Sequence, residues 1–392
     1  MKSHLFFVTE GRFIRNDKGV YTQGGFPYRL WERYLSVFER ITIVARVKQN
    51  GGEVEEVFRS DGPNVSFWDL PYYEGPRDYF RVRHCFNQTI KVIIDSIEKE
   101  HASVICRVPG LIGGKIAGLL KKEKKEYACE IVGDPWDVYS PGSLNNPLRP
   151  FLRAYFTLQL KRQVSGAKQA LYVTESYLQD RYPAKKAVFV TNASNVQIKD
   201  AELRPRDSYT GFESTINLLS IGSLDQLYKA PDIVLKAVRE LYKSGVICNL
   251  VWVGGGRYLN SMVQLAEKLN ISRQVRFVGN VDHNSVYNFI RKSDLYLQVS
   301  RTEGLPRALI EAMSQGIVCI GTRVGGIPEL LNDEVLIHKN SVNELVSCVL
   351  KLMNDIELCN SCSHYNLNQS MKYTEKELQA KREAFYKNIV KE

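Results

Sequence analysis

A chain of 392 residues is longer than one ordinary core and suits two domains of roughly 200 residues with a cleft between them. With 44% hydrophobic and 24% charged residues, its composition is that of a folded globular protein and excludes general disorder. The net charge of +10 sits mainly in residues 1–200, which carry 30 Lys/Arg against 22 Asp/Glu, so that half is expected to meet any anionic partner.

The start, "MKSHLFFVTEGR", has too short an apolar run for a signal peptide, and no later run approaches the length of a transmembrane helix. The expectation is a cytoplasmic protein. Short apolar runs then alternate with helix-length amphipathic segments. In the first half the expected strands are "LFFV" (from Leu5), "ITIVARV" (Ile41), "VSFWDL" (Val65), "SVIC" (Ser103), "YACEIV" (Tyr127), "ALYV" (Ala170) and "AVFVT" (Ala187). In the second they are "INLLSI" (Ile216), "CNLVWV" (Cys248), "VRFVG" (Val275), "DLYLQV" (Asp294) and "IVCIG" (Ile317). Strands joined by crossover helices predict an α/β protein with parallel sheets.

Between the two series, Asn195 to Thr215 is polar and lacks an apolar period, which reads as an interdomain connection. The expected domains are 1–198 and 199–374, with a last helix over about 375–392 that packs back on the first domain. Each half then forms a doubly wound sheet, whose ligands bind at the carboxyl ends of the strands near helix N-termini.

The segment from Val138 to Thr174 has no acidic residue; Arg149, Arg153, Lys161, Arg162 and Lys168 are interleaved with Phe151, Tyr155 and Phe156, downstream of "KKEKKEY" (Lys121). Residues 111–168 therefore suit either an anionic membrane surface or a solvated helical face. No stacking motif or recognition helix accompanies this charge, so nucleic acid is not the expected partner. Cys359 and Cys362, followed by His364, lack a second Cys/His pair at zinc-like spacing, and the eight cysteines read as small buried residues.

The stretch "SRTEGLPRALIEAMSQG", Ser300 to Gly316, carries the chemistry. Leu305, Ala308, Leu309, Ala312 and Met313 form one helical face, with Pro306 in the first turn and Gly316 at the end. Glu303 falls just before this helix and Glu311 points away from the apolar stripe, so both carboxylates are expected to avoid the core. Carboxylates accept from hydroxyls and free helix-terminal amides donate to phosphate, which suits a ligand with sugar hydroxyls and a diphosphate. The alternative from the residues alone is a first-turn acid and a solvated helix residue.

This stretch, followed by "VGGIPELL" (Val324) and preceded by "IGSLDQLYKAPDIVLKAV" (Ile221), resembles the retaining glycosyltransferases of family 4, which have the GT-B architecture of two facing Rossmann-like domains. The resemblance extends to bacterial capsule, O-antigen and exopolysaccharide enzymes. It implies that Glu311 bonds the ribose of a nucleotide-sugar donor, that Glu303 lies beside the transferred sugar, and that the Gly304 and Leu305 amides meet sugar or phosphate. It further implies that Lys229 stabilises the leaving diphosphate. Ser223 stands where the family usually has arginine, so either Lys229 carries more of that task or Arg301 contributes. In the first half, "YTQGGFPYRLWERYL" (Tyr21) looks like the family's Gly-rich first loop, in which Gly24 and Gly25 let the backbone approach phosphate. Gly133-Asp134 stands where many relatives carry a histidine, making Asp134 the candidate acceptor-side or sugar-side contact. The "VGGG" at Val253 lacks the spacing of a dinucleotide fingerprint.

The implied reaction is retaining sugar transfer from a UDP- or GDP-sugar to a glycan or lipid-linked saccharide, with no cofactor and no metal, and with peripheral docking on the inner face of the membrane. Competing readings are a non-catalytic sugar-nucleotide binding module and an NDP-sugar epimerase of similar build.

Overall fold

The computed structural model describes residues 3–22, 25–49, 52, 54–140 and 147–390. The first half contributes β1 (His4–Asn16), β2 (Gly19–Thr22), β3 (Arg40–Lys48), β4 (Val65–Leu70), β5 (Ser103–Val108), β6 (Ala128–Ile131), β7 (Gln169–Tyr172) and β8 (Phe189–Asn192). They form one sheet in the order β4-β3-β1-β5-β6-β7-β8, parallel throughout except for β2, which pairs antiparallel with the end of β1. The second half contributes β9 (Thr215–Ile221), β10 (Ile247–Val253), β11 (Val275–Gly279), β12 (Leu295–Gln298), β13 (Val318–Thr322) and β14 (Leu336–Ile337). Their order is β11-β10-β9-β12-β13-β14, all parallel.

Helices cover both faces of each sheet. In the first half these are α1 (Tyr28–Leu35), α2 (Pro76–Lys99), α3 (Leu111–Lys122), α4 (Pro135–Val138), α5 (Arg149–Val164) and α6 (Tyr177–Arg181). The second half has α7 (Pro231–Lys243), α8 (Leu259–Lys268), α9 (His283–Arg291), α10 (Arg307–Met313), α11 (Val342–Asn354), α12 (Ile356–Ser370) and α13 (Glu375–Lys387). Coverage on both faces explains why strand segments such as Leu5–Val8 are apolar without alternation: side chains on both sides are buried. Two doubly wound parallel sheets are thus observed, as the alternating pattern predicts.

Two strands, β2 and β14, escaped the sequence reading. The first strand runs well past "LFFV" to Asn16, because a register shift between Val8 and Arg12 lets polar residues continue the ladder before the hairpin to β2. β14 has only two residues, too few for a period. The polar connection is also less free than its composition suggests. Arg204 N–H donates to Ser314 O at 2.9 Å, and Asn360 exchanges hydrogen bonds with the Tyr209 backbone at 2.7 and 3.0 Å, so the segment lies along the second domain. α13 then crosses back. Tyr386 packs on Tyr34 of α1 with ring centroids 4.7 Å apart, and Ser103 and Gln169 side chains donate to the carbonyls of Ile389 and Asn388.

All eight cysteines are free and all but Cys85 are buried. Cys359 and Cys362 lie in α12, which packs on β13, and burial raises both thiol pKa values. No described helix is long and apolar enough to cross a membrane.

Candidate active site

The loop after β12 is fixed at the carboxyl end of the second sheet. Ser300 N–H donates to Thr322 Oγ1 at 3.0 Å, and the Thr322 hydroxyl returns a bond to Ser300 O at 2.9 Å, tying the loop to the end of β13. Glu303 follows, with its side chain 9% exposed. Its Oε1 accepts from Lys229 Nζ, from Gln298 Nε2 at 3.1 Å and from Ser300 Oγ at 3.1 Å. All three donors converge on one oxygen, and Oε2 has no hydrogen-bond partner among the described residues.

Lys229 ends a short turn, Leu227–Lys229, whose exit residue Ala230 takes a left-handed φ of 45° before Pro231 opens α7. Arg301 holds this turn. Its guanidinium donates to both oxygens of Asp232 at 2.8 and 2.9 Å and to Leu227 O at 2.7 Å, while its backbone N–H donates to Tyr228 O at 2.7 Å. Nε is occupied by Asn340 Oδ1 at 2.9 Å. Arg301 therefore does not supply the cation missing at Ser223; it is a strut for the turn that presents Lys229. The Ser223 hydroxyl is itself engaged with Asp225 at 2.9 Å, inside the loop after β9.

Close backbone packing explains two glycine motifs. At Gly325 (φ 56°) an added Cβ would stand 2.0 Å from Glu303 O, so "VGGIPELL" presses its glycine against the Glu303 loop. At Gly254 (φ 123°) the Cβ would meet Gly222 O at 2.2 Å, so the "VGGG" turn serves contact with the loop leading to Ser223.

Glu311 sits on α10, a seven-residue helix with Pro306 as its N-cap, one position later than the pattern predicts. Its side chain is 16% exposed, with His283 Nε2 4.0 Å away. This disfavours the alternative of a solvated helix residue. Burial raises the Glu311 pKa, opposed by the charges of His283 and Arg307 and reinforced by Glu202. His283, at the start of α9, was not anticipated; nothing in its local pattern marks it, because α9 and α10 meet only in the fold.

The Glu303 loop also faces the first domain. The Cβ position of Gly304 lies 3.6 Å from Val132 O, just beyond β6, and Leu305 packs against the hydrophobic cores of both halves. The Gly304 carbonyl accepts from Gly326 N–H at 2.7 Å, whereas the Gly304 and Leu305 N–H groups make no hydrogen bond among the described residues. A second interdomain contact was missed by the sequence reading. The Glu329 carboxylate accepts from the backbone N–H groups of Glu175 and Ser176 at 2.7 and 3.0 Å and from that of Tyr177, at the N-terminus of α6.

Asp134 requires correction. It is 3% exposed and both oxygens are committed. One accepts from Trp136 N–H at 2.8 Å and from the Tyr182 hydroxyl, the other from the Tyr177 hydroxyl at 3.1 Å and from Arg181. It fastens α4 to α6 inside the first domain and offers no free lone pair toward the cleft. Gly24 lies outside the described residues; Gly25 (φ 88°) has open space where a Cβ would be. Among the described residues no group of three or more His, Cys, Asp or Glu is placed to hold a metal ion.

Residues 206–369 match the family described as glycosyl transferases group 1. Protein CapJ of Staphylococcus aureus is 31% identical over 377 residues, covering 93% of this chain and 92% of CapJ. Among solved structures, the lipopolysaccharide outer core galactosyltransferase WaaB superposes with a TM-score of 0.66 at 14% identity, covering 98% of this chain and 99% of that one. HepE of Anabaena, in complex with UDP and glucose, superposes with a TM-score of 0.63 at 12% identity over 97% and 98% of the two chains. The two facing parallel sheets are the GT-B fold of these neighbours, and the chain belongs to the group 1 glycosyl transferases.

Proposed function

We propose that the chain is a retaining, metal-independent transferase that moves a sugar from a UDP- or GDP-sugar to a glycan or lipid-linked saccharide in cell-surface polysaccharide synthesis. The observation that carries this reading is the meeting of Lys229 and Glu303 at the carboxyl end of β12, next to Gly304, whose Cβ position lies 3.6 Å from Val132 O of the first domain. The full-length similarity to CapJ and the fold shared with WaaB and with the UDP-bound HepE support it.

In this reading Lys229 turns from Glu303 to the donor diphosphate and stabilises the charge that develops as the sugar C1–O(phosphate) bond breaks. The Gly304 and Leu305 amides supply further donors to phosphate or sugar. Glu303 Oε2 accepts from a hydroxyl of the transferred sugar and holds it against the first domain. The acceptor oxygen bonds to C1 on the face that phosphate leaves, and its proton passes to a phosphate oxygen. Glu311 accepts from the ribose hydroxyls. Lys229 and the Gly304 and Leu305 amides meet the diphosphate in this reading, and no metal step is invoked.

The exposed Trp136, Val138, Phe151, Tyr155 and Leu158 lie in or beside the basic segment, and we assign this face to a membrane surface near a lipid-linked acceptor. The test is transfer from labelled UDP- and GDP-sugars to lipid-linked saccharides in EDTA, with the product anomer read by NMR. Axial-to-axial retention without added metal is expected for an α-donor. An inverted product, loss of activity restored only by magnesium, or release of a free epimer without acceptor would contradict the reading.

A further inference from the structure

Toward the carboxyl ends of β5 to β8, where α1 and α13 meet the first sheet, lies a cavity of about 10 Å³, room for one water-sized species. Arg33 of α1, Arg107 of β5 and Arg382 of α13 line it, and Glu130 of β6 is the one carboxylate among the lining residues. Both Glu130 oxygens are engaged: Oε1 accepts from the Tyr34 hydroxyl at 2.8 Å and Oε2 from Arg107 Nη1 at 2.9 Å. Arg33 donates through Nη2 to the Tyr34 hydroxyl at 3.0 Å, and Arg382, 6% exposed, donates through Nη2 to Ser194 O. Neither of these two arginines forms an ion pair among the described residues. Arg107 Nε and Nη2 and Arg382 Nε and Nη1 likewise have no hydrogen-bond partner there. Burial, and next the charge of Arg33, lowers the Arg382 pKa, so the cations crowd one another. Three guanidinium groups thus share a single carboxylate, and sheltered charge without a counter-ion is costly.

We propose that this cavity binds one monatomic, monovalent anion from solution, of the chloride class. The ion accepts from the unpaired guanidinium N–H groups of Arg107 and Arg382, and the charge of Arg33 adds to its attraction. Charge selects an anion over water, and the small volume selects a halide over sulfate or an organic acid. Because its ligands come from β5 and α13, the ion fastens the crossing helix to the first domain. The site uses none of Lys229, Glu303 and Glu311, so it stands apart from the transferase reading.

The experiment is a chloride NMR linewidth titration of the full chain, with sodium gluconate holding the ionic strength constant. Wild type is expected to broaden the chloride line saturably, and bromide, but neither gluconate nor acetate, should displace the bound ion. Glu130→Gln removes the one competing negative charge and should tighten chloride binding about tenfold or more, the scale of a like charge a few ångströms away in a partly buried site. Arg33→Gln should weaken it by about the same factor. The two substitutions move affinity in opposite directions, which loss of folding cannot imitate. Melting curves give a second readout, because an ion that binds only the folded chain raises Tm as its concentration rises, more steeply in Glu130→Gln than in wild type. No saturable broadening, or broadening that gluconate removes as well as bromide does, would overturn the proposal. So would a chloride affinity that neither substitution shifts. Displacement by acetate as effective as that by bromide would also overturn it, by assigning the cavity to the carboxylate of an organic ligand. The assay uses neither donor nor acceptor, so its failure leaves the transferase reading intact, and failure of transfer leaves this result standing.

Discussion

The Lys229 ammonium is closed on Oε1 of Glu303, with both side chains nearly sheltered from solvent. The cation is thus held on the carboxylate that lies beside it. Lys229→Ala should lower kcat by about one to three orders of magnitude, the range for removing a donor that stabilises developing charge. Glu303→Gln should lower kcat while leaving nucleotide affinity within about threefold, because the nucleotide is expected to meet Lys229 and not Glu303. Stopped-turnover rates beside nucleotide binding isotherms check both, and a Glu303→Gln enzyme that turns over normally would contradict the assignment.

Arg301 acts through Lys229. Removing its fork releases Asp232 and Leu227 O together, so Arg301→Ala should cost about 1.5–3 kcal/mol of stability, as for lost hydrogen bonds to a charged group. Lysine cannot reproduce the bidentate contact, so Arg301→Lys should recover stability only in part. The readout beyond stability is kcat: if Arg301 merely held the fold, folded Arg301→Lys would keep full turnover.

Glu311 predicts a pH effect with a definite sign. Burial raises its folded pKa above the unfolded carboxylate value near 4.3, so the folded chain holds this proton more tightly. Its contribution to stability is fully present below the unfolded pKa and is lost as pH rises through the folded one. Glu311→Gln should remove that loss, raising Tm relative to wild type at neutral pH while weakening nucleotide binding about tenfold or more. Melting curves between pH 4 and 8 decide it: identical pH dependence in the two proteins would exclude burial as the cause.

Glu329 and the three N–H groups at α6 form a contact between domains. Glu329→Ala should loosen the relative domain arrangement, seen as a larger radius of gyration in solution scattering and a raised KM. An unchanged scattering curve would show that Leu305 packing and the crossing of α13 suffice to hold the halves together.

Much of this was legible in the sequence, for definite reasons. Parallel strands buried on both faces, such as Leu5–Val8 and Ile216–Ile221, announce themselves as apolar runs, and Ser300 to Gly316 brings its carboxylates within one local segment. What failed depended on contacts distant in sequence. Asp134 reads as a cleft residue because it ends a strand, yet Tyr177, Arg181 and Tyr182 turn back to saturate it. Arg301 reads as a spare cation until Asp232, brought beside it by the β9–α7 connection, takes its fork. For Glu311, helical periodicity reports only the helix's own apolar stripe and is blind to His283 arriving from α9.

The most direct test of the central claim, a nucleotide-sugar site on the second domain, is calorimetric binding of UDP, GDP and ADP to wild type and Glu311→Ala in EDTA. Tight binding of UDP or GDP, weakened about tenfold or more in Glu311→Ala, is the predicted result. Equal affinity of the two proteins for every nucleotide, or binding that appears only with added divalent metal, would contradict it.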